Sequence, residues 1–170
     1  MRRLRIIILF IAIGLLAACS KPAQNNRNTP ATSQPPVNAP ATPTPGDSTP
    51  PLLREINAGN TEGVRQLIDN GADVNAASET GVTPLMNAAG MGNKEVVQLL
   101  LARGANVNAK TTGNYTALMQ AALVGQTEIV KMLLDAGADP SVKDIGGRSA
   151  LTYAEDKGNK EIVALLKNRK

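Results

Sequence analysis

The sequence contains no histidine and no tryptophan, and it has one cysteine and only three aromatic residues in 170. Histidine is the usual general base, and histidine and cysteine are the usual zinc ligands, so common hydrolytic and zinc sites lack their residues. One cysteine excludes a disulfide within the chain. The scarcity of aromatic residues removes the stacking platforms that bind single-stranded nucleic acids. We therefore expect neither an enzyme nor a site for a metal or cofactor.

The positive net charge of the chain is confined to its N-terminal part. Residues 51–170 contain thirteen basic and thirteen acidic side chains, although the whole chain carries a formal charge of +4. Binding to the phosphate backbone requires clustered basic side chains. A nucleic-acid partner is therefore not expected.

Residues 1–19, MRRLRIIILFIAIGLLAAC, have the layout of a secretory signal: arginines, an apolar run, then small residues. The apolar run is too short for a permanent transmembrane helix. Its end, LAAC, resembles the lipobox of bacterial lipoproteins, which implies that Cys19 is lipidated. The alternative is a thiol without a role in a removed signal. Ser20 after the cysteine implies, in a Gram-negative organism, an outer-membrane lipoprotein facing the periplasm.

Residues 20–50 hold eight of the eleven prolines and almost no large apolar side chain. Such a segment cannot bury enough apolar surface to offset the entropy lost on ordering. We interpret it as a Pro-rich disordered tether between anchor and domain. It would reach roughly 30 Å as a coil and roughly 95 Å as extended polyproline II.

The remainder of the chain repeats with a period of 33 residues. Gly59, Gly92, Gly125 and Gly158 keep this spacing, and so does a leucine column. In the second unit Thr83 suits a helix N-cap, Pro84 the first helical position, and Gly104 the end of the second helix. Each unit is predicted to be two short helices and an extended hairpin. Four stacked units make an all-α repeat solenoid.

The segment GVTPLMNAAGMGNKEVVQLLLARGANVNA (81–109) resembles the ankyrin repeat. The resemblance covers residues 51–170 and places four repeats at about 51–80, 81–113, 114–146 and 147–170. Met86, Met119 and Thr152 stand where the family has histidine, and Asn114 replaces a hairpin glycine. The carboxylates Glu55 and Glu155, in the columns of the paired alanines, are expected at the end repeats only. Asp73, Asn106 and Asp139 share one slot, and we interpret them as turn-stabilising rather than as paired catalytic acids.

The resemblance implies a protein-binding module that uses its concave face, formed by the hairpin tips and the first helix of each repeat. Several residues in these slots are apolar although the slots should face water, and exposed apolar surface marks interaction sites. Tyr115 is the strongest candidate because tyrosine anchors interfaces disproportionately. The partner-binding candidates are Val82, Met91, Tyr115, Leu123, Val124, Ile145 and Arg148.

The expected function is therefore a monomeric, lipid-anchored module that binds a protein partner in the bacterial envelope. Three uses remain open. Ankyrin lipoproteins are similar to some immunity proteins that neutralise toxic phospholipases delivered by type VI secretion. A second group of similar ankyrin proteins supports envelope enzymes such as catalase against oxidative stress. The third use is a structural adaptor or cell-wall-associated scaffold that regulates no enzyme.

Overall fold

A computed structural model describes residues 49–168, which form eight α-helices and, within that range, no β-strand. None of these helices has the length and apolar character needed to cross a membrane. The predictions for Cys19 and for most of the tether lie outside the described residues. The helices are α1 (Pro51–Asn57), α2 (Thr61–Asp69), α3 (Pro84–Met91), α4 (Lys94–Ala102), α5 (Ala117–Val124), α6 (Thr127–Asp135), α7 (Ala150–Asp156) and α8 (Lys160–Lys167).

The helices pack as four pairs, and the pairs stack in chain order. The first helices α1, α3, α5 and α7 lie side by side, and the second helices form a parallel row behind them. Leucines of the repeating column and the paired alanines fill the contacts between neighbours. Side chains as small as alanine let neighbouring helices approach closely. The predicted all-α solenoid of four repeats is confirmed.

The predicted first-helix caps are present. The hydroxyl oxygens of Thr83, Thr116 and Ser149 accept hydrogen bonds from backbone N–H groups three residues later, at 3.3, 3.3 and 3.4 Å. Each bond satisfies one of the N–H groups that a helix start leaves unpaired. At the other end of α3, Gly92 has φ of 76°, the left-handed conformation that glycine adopts without steric cost.

The second helices differ in their caps. Asn60 and Asn93 accept from the N–H groups of Gly63 and Val96 at 3.0 and 3.1 Å. Gln126 has nearly the same backbone angles at the start of α6, but its side chain makes no cap hydrogen bond. Its amide lies against Gly92 of the preceding repeat instead. Asn159 at the start of α8 also makes no cap hydrogen bond, so α6 and α8 each begin with one more unsatisfied donor than α2 and α4.

We expect Gln126→Asn to stabilise the domain. An asparagine at this position has the backbone geometry that lets Asn93 cap α4, and an N-cap hydrogen bond contributes about 1 kcal/mol. The midpoint of thermal unfolding should rise by about 4 °C. Circular dichroism at 222 nm measures it, and Asn93→Gln, the reverse change, should lower the midpoint by a similar amount. An unchanged midpoint for Gln126→Asn would contradict this account of α6.

A row of turns joins the repeats on the side next to the second helices. Within each turn one side-chain oxygen accepts from the backbone N–H two residues later. The bonds run from Asp73 to Asn75 (2.8 Å), from Asn106 to Asn108 (3.0 Å) and from Asp139 to Ser141 (2.8 Å). The turn-stabilising interpretation of these three residues is confirmed.

The predicted hairpin loops are closed by tight turns and contain no β-strand within residues 49–168. In the first, Ser78 and Val82 are joined by a backbone hydrogen bond of 2.9 Å, and the other two tips are closed in the same way. Neighbouring tips share one hydrogen bond, from Thr112 N–H to the Thr80 carbonyl and from Ile145 N–H to the Gly113 carbonyl, each 3.1 Å. One hydrogen bond between two neighbouring tips is too few to form a β-ladder.

The structure shows what Asn114 and the two methionines do at the positions where the sequence departs from the ankyrin pattern. Asn114 has φ of 57°, so it takes the left-handed conformation expected of a residue that replaces the hairpin glycine. Met86 and Met119 are buried in the core, 4% and 1% exposed. These methionines replace the histidine of the family and lie in the core. The tips are held by the side chains of Ser78, Thr111 and Asp144, which accept from backbone N–H groups within the turns.

The end repeats admit carboxylates in two different ways. Glu155 is exposed, and Lys167 forms an ion pair with it at 3.0 Å over the last repeat. Glu55 is buried, only 5% exposed, and accepts from Asn60 Nδ2 at 2.6 Å. Glu155 is therefore a solvated residue of the last repeat, whereas Glu55 is part of the packed first repeat.

Candidate functional site

The candidate surface consists of the three tips (78–82, 111–115 and 144–148) and the solvent side of α3, α5 and α7. We call it the concave face. Three of the predicted binding residues are well exposed on it: Met91 (49%), Val124 (47%) and Ile145 (82%). Met91 and Val124 occupy equivalent positions at the ends of α3 and α5. These are the large apolar side chains that the described fold leaves in water.

Val82, Tyr115 and Leu123 face water only in part. All three are partly buried and pack against the hydrophobic core. Val82 and Tyr115 directly precede a helix N-cap, where the entering chain holds the side chain against the structure. Leu123 lies one residue before exposed Val124, so the rotation of α5 turns it inward. Arg148, at the position of Val82 and Tyr115 in the last repeat, is also partly buried.

A cluster of polar and aromatic side chains holds the third tip against α7. The Tyr153 hydroxyl donates to Asp144 Oδ2 at 2.5 Å, and Asp144 Oδ1 accepts from the N–H groups of Gly146 and Arg148 at 2.8 and 2.9 Å. The Arg148 guanidinium lies 4.2 Å from the centroid of the Tyr153 ring and pairs with Asp156. Tyr115 meets the same ring edge-on, with centroids 5.5 Å apart. We call this set the tip brace.

Helix pairs joined by tight tips at a 33-residue period agree with one known repeat family. The family described as ankyrin repeats (3 copies) matches residues 52–144 and 112–170, which together span most of the chain. The chain is an ankyrin repeat protein. No curated protein matches it. Ankyrin repeat domains are typically non-catalytic modules that bind protein partners.

The tip brace sets the charge states around the third tip of this ankyrin domain. The hydrogen bond from Tyr153, followed by those from the backbone, holds the pKa of Asp144 below its usual range. The same bond raises the pKa of Tyr153. Burial, followed by the neighbouring Tyr153 and Asp144, raises the pKa of Tyr115 to about 12. The Tyr115 hydroxyl is buried and makes no hydrogen bond within residues 49–168.

The shifted tyrosines predict a loss of stability in alkali. In the unfolded chain both tyrosines ionise near pH 10, whereas folding keeps Tyr115 neutral up to about 12. The unfolded state is therefore favoured increasingly as the pH rises above 10. Absorbance at 295 nm should show tyrosinate forming later in the native chain than in urea, and Tyr115→Phe should remove the latest step. Coincident native and denatured titrations would contradict this environment for Tyr115.

The exposed apolar surface of the ankyrin domain lies in two parts. Met91 and Val124 lie at the C-terminal ends of their helices, whereas Ile145 lies at a tip, near the N-terminal end of α7. A helix of eight residues is about 12 Å long, so the two parts are separated by roughly that distance. Polar Asn87 and Gln120 lie on the helices between them. A partner that covers both parts must span the width of the concave face.

Sequence reasoning missed Tyr153 and Asp144 as parts of the tip brace. One available signal was the position of Tyr153 four residues after the cap Ser149, opposite Arg148 directly before it. This is the spacing at which a side chain before a cap packs on the first turn of the helix. An arginine and a tyrosine at that spacing favour a cation–π contact.

The described residues also form a cleft away from the concave face. A cleft of about 450 Å³ at the C-terminal end of the stack has an apolar floor of Leu151, Leu166 and Pro140, with Asp139 and Lys143 among its lining. It contains none of the predicted binding residues. Among residues 49–168 no three acidic or cysteine side chains are grouped closely enough to hold a metal ion.

Proposed function

We propose that this ankyrin repeat protein binds a protein partner in the bacterial envelope through its concave face, while Cys19 anchors it to a membrane. The observation that carries the proposal is the exposure of Met91, Val124 and Ile145 on one side of the domain. None of the three contributes to the core of the stack. Burying such side chains against a partner contributes about 25 cal/mol per Å² of apolar surface.

The tip brace supports an interface at the third tip. Cation–π, aromatic and ionic contacts fix the loop that presents Ile145, so little conformational entropy remains to be lost on binding. The charges of Arg148 and Asp156 are already paired with each other. The surface therefore offers apolar contact on a rigid frame, which suits a protein surface better than a polyanion.

The envelope location rests on the sequence of residues 1–50. A secretory signal that ends in a lipobox supports lipidation at Cys19, and the Pro-rich segment that follows would separate the domain from the membrane. A concave face held at a distance from its anchor suits a soluble or peripheral partner. Such a partner could be an enzyme that is inhibited, an enzyme that is protected, or a scaffold component.

Binding can be tested with the full-length protein carrying a C-terminal affinity tag, produced in its native cell and isolated after chemical cross-linking. Met91→Glu, Val124→Glu and Ile145→Glu are combined in one variant because these side chains are exposed and the changes should leave the fold intact. Glutamate at Tyr115 or Leu123 would report unfolding instead. The matched control carries the same charge change at exposed alanines in α4, directly after α6 and in α8: Ala102→Glu, Ala136→Glu and Ala164→Glu.

The expected result is one stoichiometric partner, identified by mass spectrometry, that is retained by the control and lost from the concave variant. The activity of that partner with and without this protein then separates inhibition, protection and scaffolding. If the two variants retain the same proteins, the concave face is not the interface.

The anchor has a separate test. The Cys19→Ser variant should leave the membrane fraction, and intact-mass analysis of the native protein should show a lipid adduct on the peptide that begins at Cys19. An unmodified peptide that starts elsewhere would reject the lipid anchor without affecting the binding proposal.

A further inference from the structure

The methionines of the described residues differ in how far their side chains are open to solvent. Met86 and Met119 are buried in the core, and Met132 is partly buried and packs against it. Met91, at the end of α3, is well exposed. Because a methionine sulfur is oxidised where an oxidant can reach it, Met91 is the methionine of residues 49–168 that is open to attack.

The ankyrin domain contains few side chains that would compete with Met91 for an oxidant. Residues 49–168 include no cysteine, whose thiolate is the more reactive sulfur, and the chain has no histidine or tryptophan. Tyr115 and Tyr153 pack against each other in the tip brace. A two-electron oxidant that reaches the domain therefore meets the sulfur of Met91 first.

Oxidation at Met91 would change the concave face without disturbing the fold. Met91 is absent from the hydrophobic core, and Val124 fills the equivalent position on α5, so the stack does not require a thioether there. Oxidation converts the apolar side chain into a polar one. The added oxygen accepts hydrogen bonds from water, and a partner that covers it must remove that water.

We propose that Met91 is a reversible oxidation site at which a peroxide weakens the apolar contact of the concave face. The sulfur attacks one oxygen of hydrogen peroxide, so an S–O bond forms and the O–O bond breaks. The sulfur loses two electrons, and the second peroxide oxygen leaves as water. Methionine sulfoxide reductases reverse the change: two thiols are oxidised to a disulfide, and the sulfoxide oxygen leaves as water.

The oxidation site is tested on the purified full-length protein in detergent. Hydrogen peroxide is added, and fragment-ion mass spectrometry assigns each added oxygen to a residue, because Met86 and Met91 share the tryptic peptide 66–94. Met91 should be oxidised about tenfold or more faster than Met86 and Met119. The thermal unfolding midpoint should stay unchanged, and reductases for both sulfoxide epimers should restore Met91.

Met91→Val is the matched variant, since it copies the residue that the next repeat has at this position. It should lack the fast oxidation. Equal oxidation rates at Met91 and Met86 would overturn the assignment of the site. A midpoint that falls once Met91 is oxidised would show that the modification acts on the fold and would overturn its proposed action on the concave face.

The effect on binding rests on the proposed function, and it has its own measurement. Tagged protein is oxidised until Met91 alone is modified, freed of peroxide, and mixed with an envelope extract of its native cell that was never oxidised. Capture of the protein that depends on Met91, Val124 and Ile145 should fall about fivefold or more. Each tagged protein is compared with its own untreated form, and peroxide should make no difference to capture by Met91→Val.

Unchanged capture by the oxidised protein would overturn the effect on binding. An extract that yields no protein dependent on the concave face would reject the proposed function and this effect together. The oxidation rates of the methionines would still decide whether Met91 is the oxidation site.

Discussion

Leu118→Ala is expected to lower the free energy of unfolding by about 3 kcal/mol, whereas Leu151→Ala should cost about 1 kcal/mol. The two leucines occupy the same position in successive repeats. Leu118 is 1% exposed because the fourth repeat packs over it, so its truncation leaves a cavity. Leu151 is only partly buried, because within residues 49–168 no repeat packs over it. Its truncation removes less apolar contact and leaves a space open to water.

Urea unfolding followed by circular dichroism measures both variants. Four repeats should unfold together, so the slope against urea should stay unchanged and the difference should appear in the midpoint. Equal losses for the two leucines would mean that Leu151 is covered in solution, for example by another copy of the chain. A changed slope for Leu118→Ala would indicate that the repeats no longer unfold as one unit.

Most of the fold could be predicted from the sequence because the signals of a repeat are local. The hydroxyl caps at Thr83, Thr116 and Ser149, the glycine after α3 and the left-handed Asn114 each depend on a few neighbouring residues. The period of 33 then repeats the hydroxyl cap in three of the four units and the glycine after the first helix in all four. The sequence between two repeats predicted turns at the tips, but it does not show how many hydrogen bonds neighbouring tips share.

The candidate site was less predictable because register gives a position but not the direction of a side chain. Tyr115 was correctly placed beside a tip, yet its ring turns inward to meet Tyr153 from the following repeat. Glu55 shows the same limit, since its burial depends on Asn60 from the turn that follows α1. Contacts between residues five to forty positions apart decide exposure, and they follow from the packed structure rather than from the repeat pattern.

The three predicted binding residues that are well exposed share one property. Met91 and Val124 lie at helix ends and Ile145 at a tip, so no later element packs over them. The surface available to a partner therefore consists of the helix ends and the tip over which no other element of the stack packs. A partner would have to bury the two parts together to gain from both.

The Ala122→Glu variant should be largely unfolded. Ala122 is fully buried between α5 and its neighbours, and Glu155 is its counterpart one repeat later. The substitution therefore places the residue that the protein tolerates at its C-terminal end into the interior. A buried, unpaired carboxylate costs about 3–5 kcal/mol, and the added volume costs more. A domain of this size is stable by about 5–15 kcal/mol in total.

Glu155→Ala is the matched control, because it installs the interior residue at the end of the stack. It removes one exposed ion pair with Lys167, which contributes less than about 1 kcal/mol. The helical signal at 222 nm and its thermal midpoint compare the two variants. If Ala122→Glu folds as well as Glu155→Ala, the third and fourth repeats do not pack as tightly as the structure shows. If both variants unfold, the ion pair at the C-terminal end contributes more stability than its exposure allows.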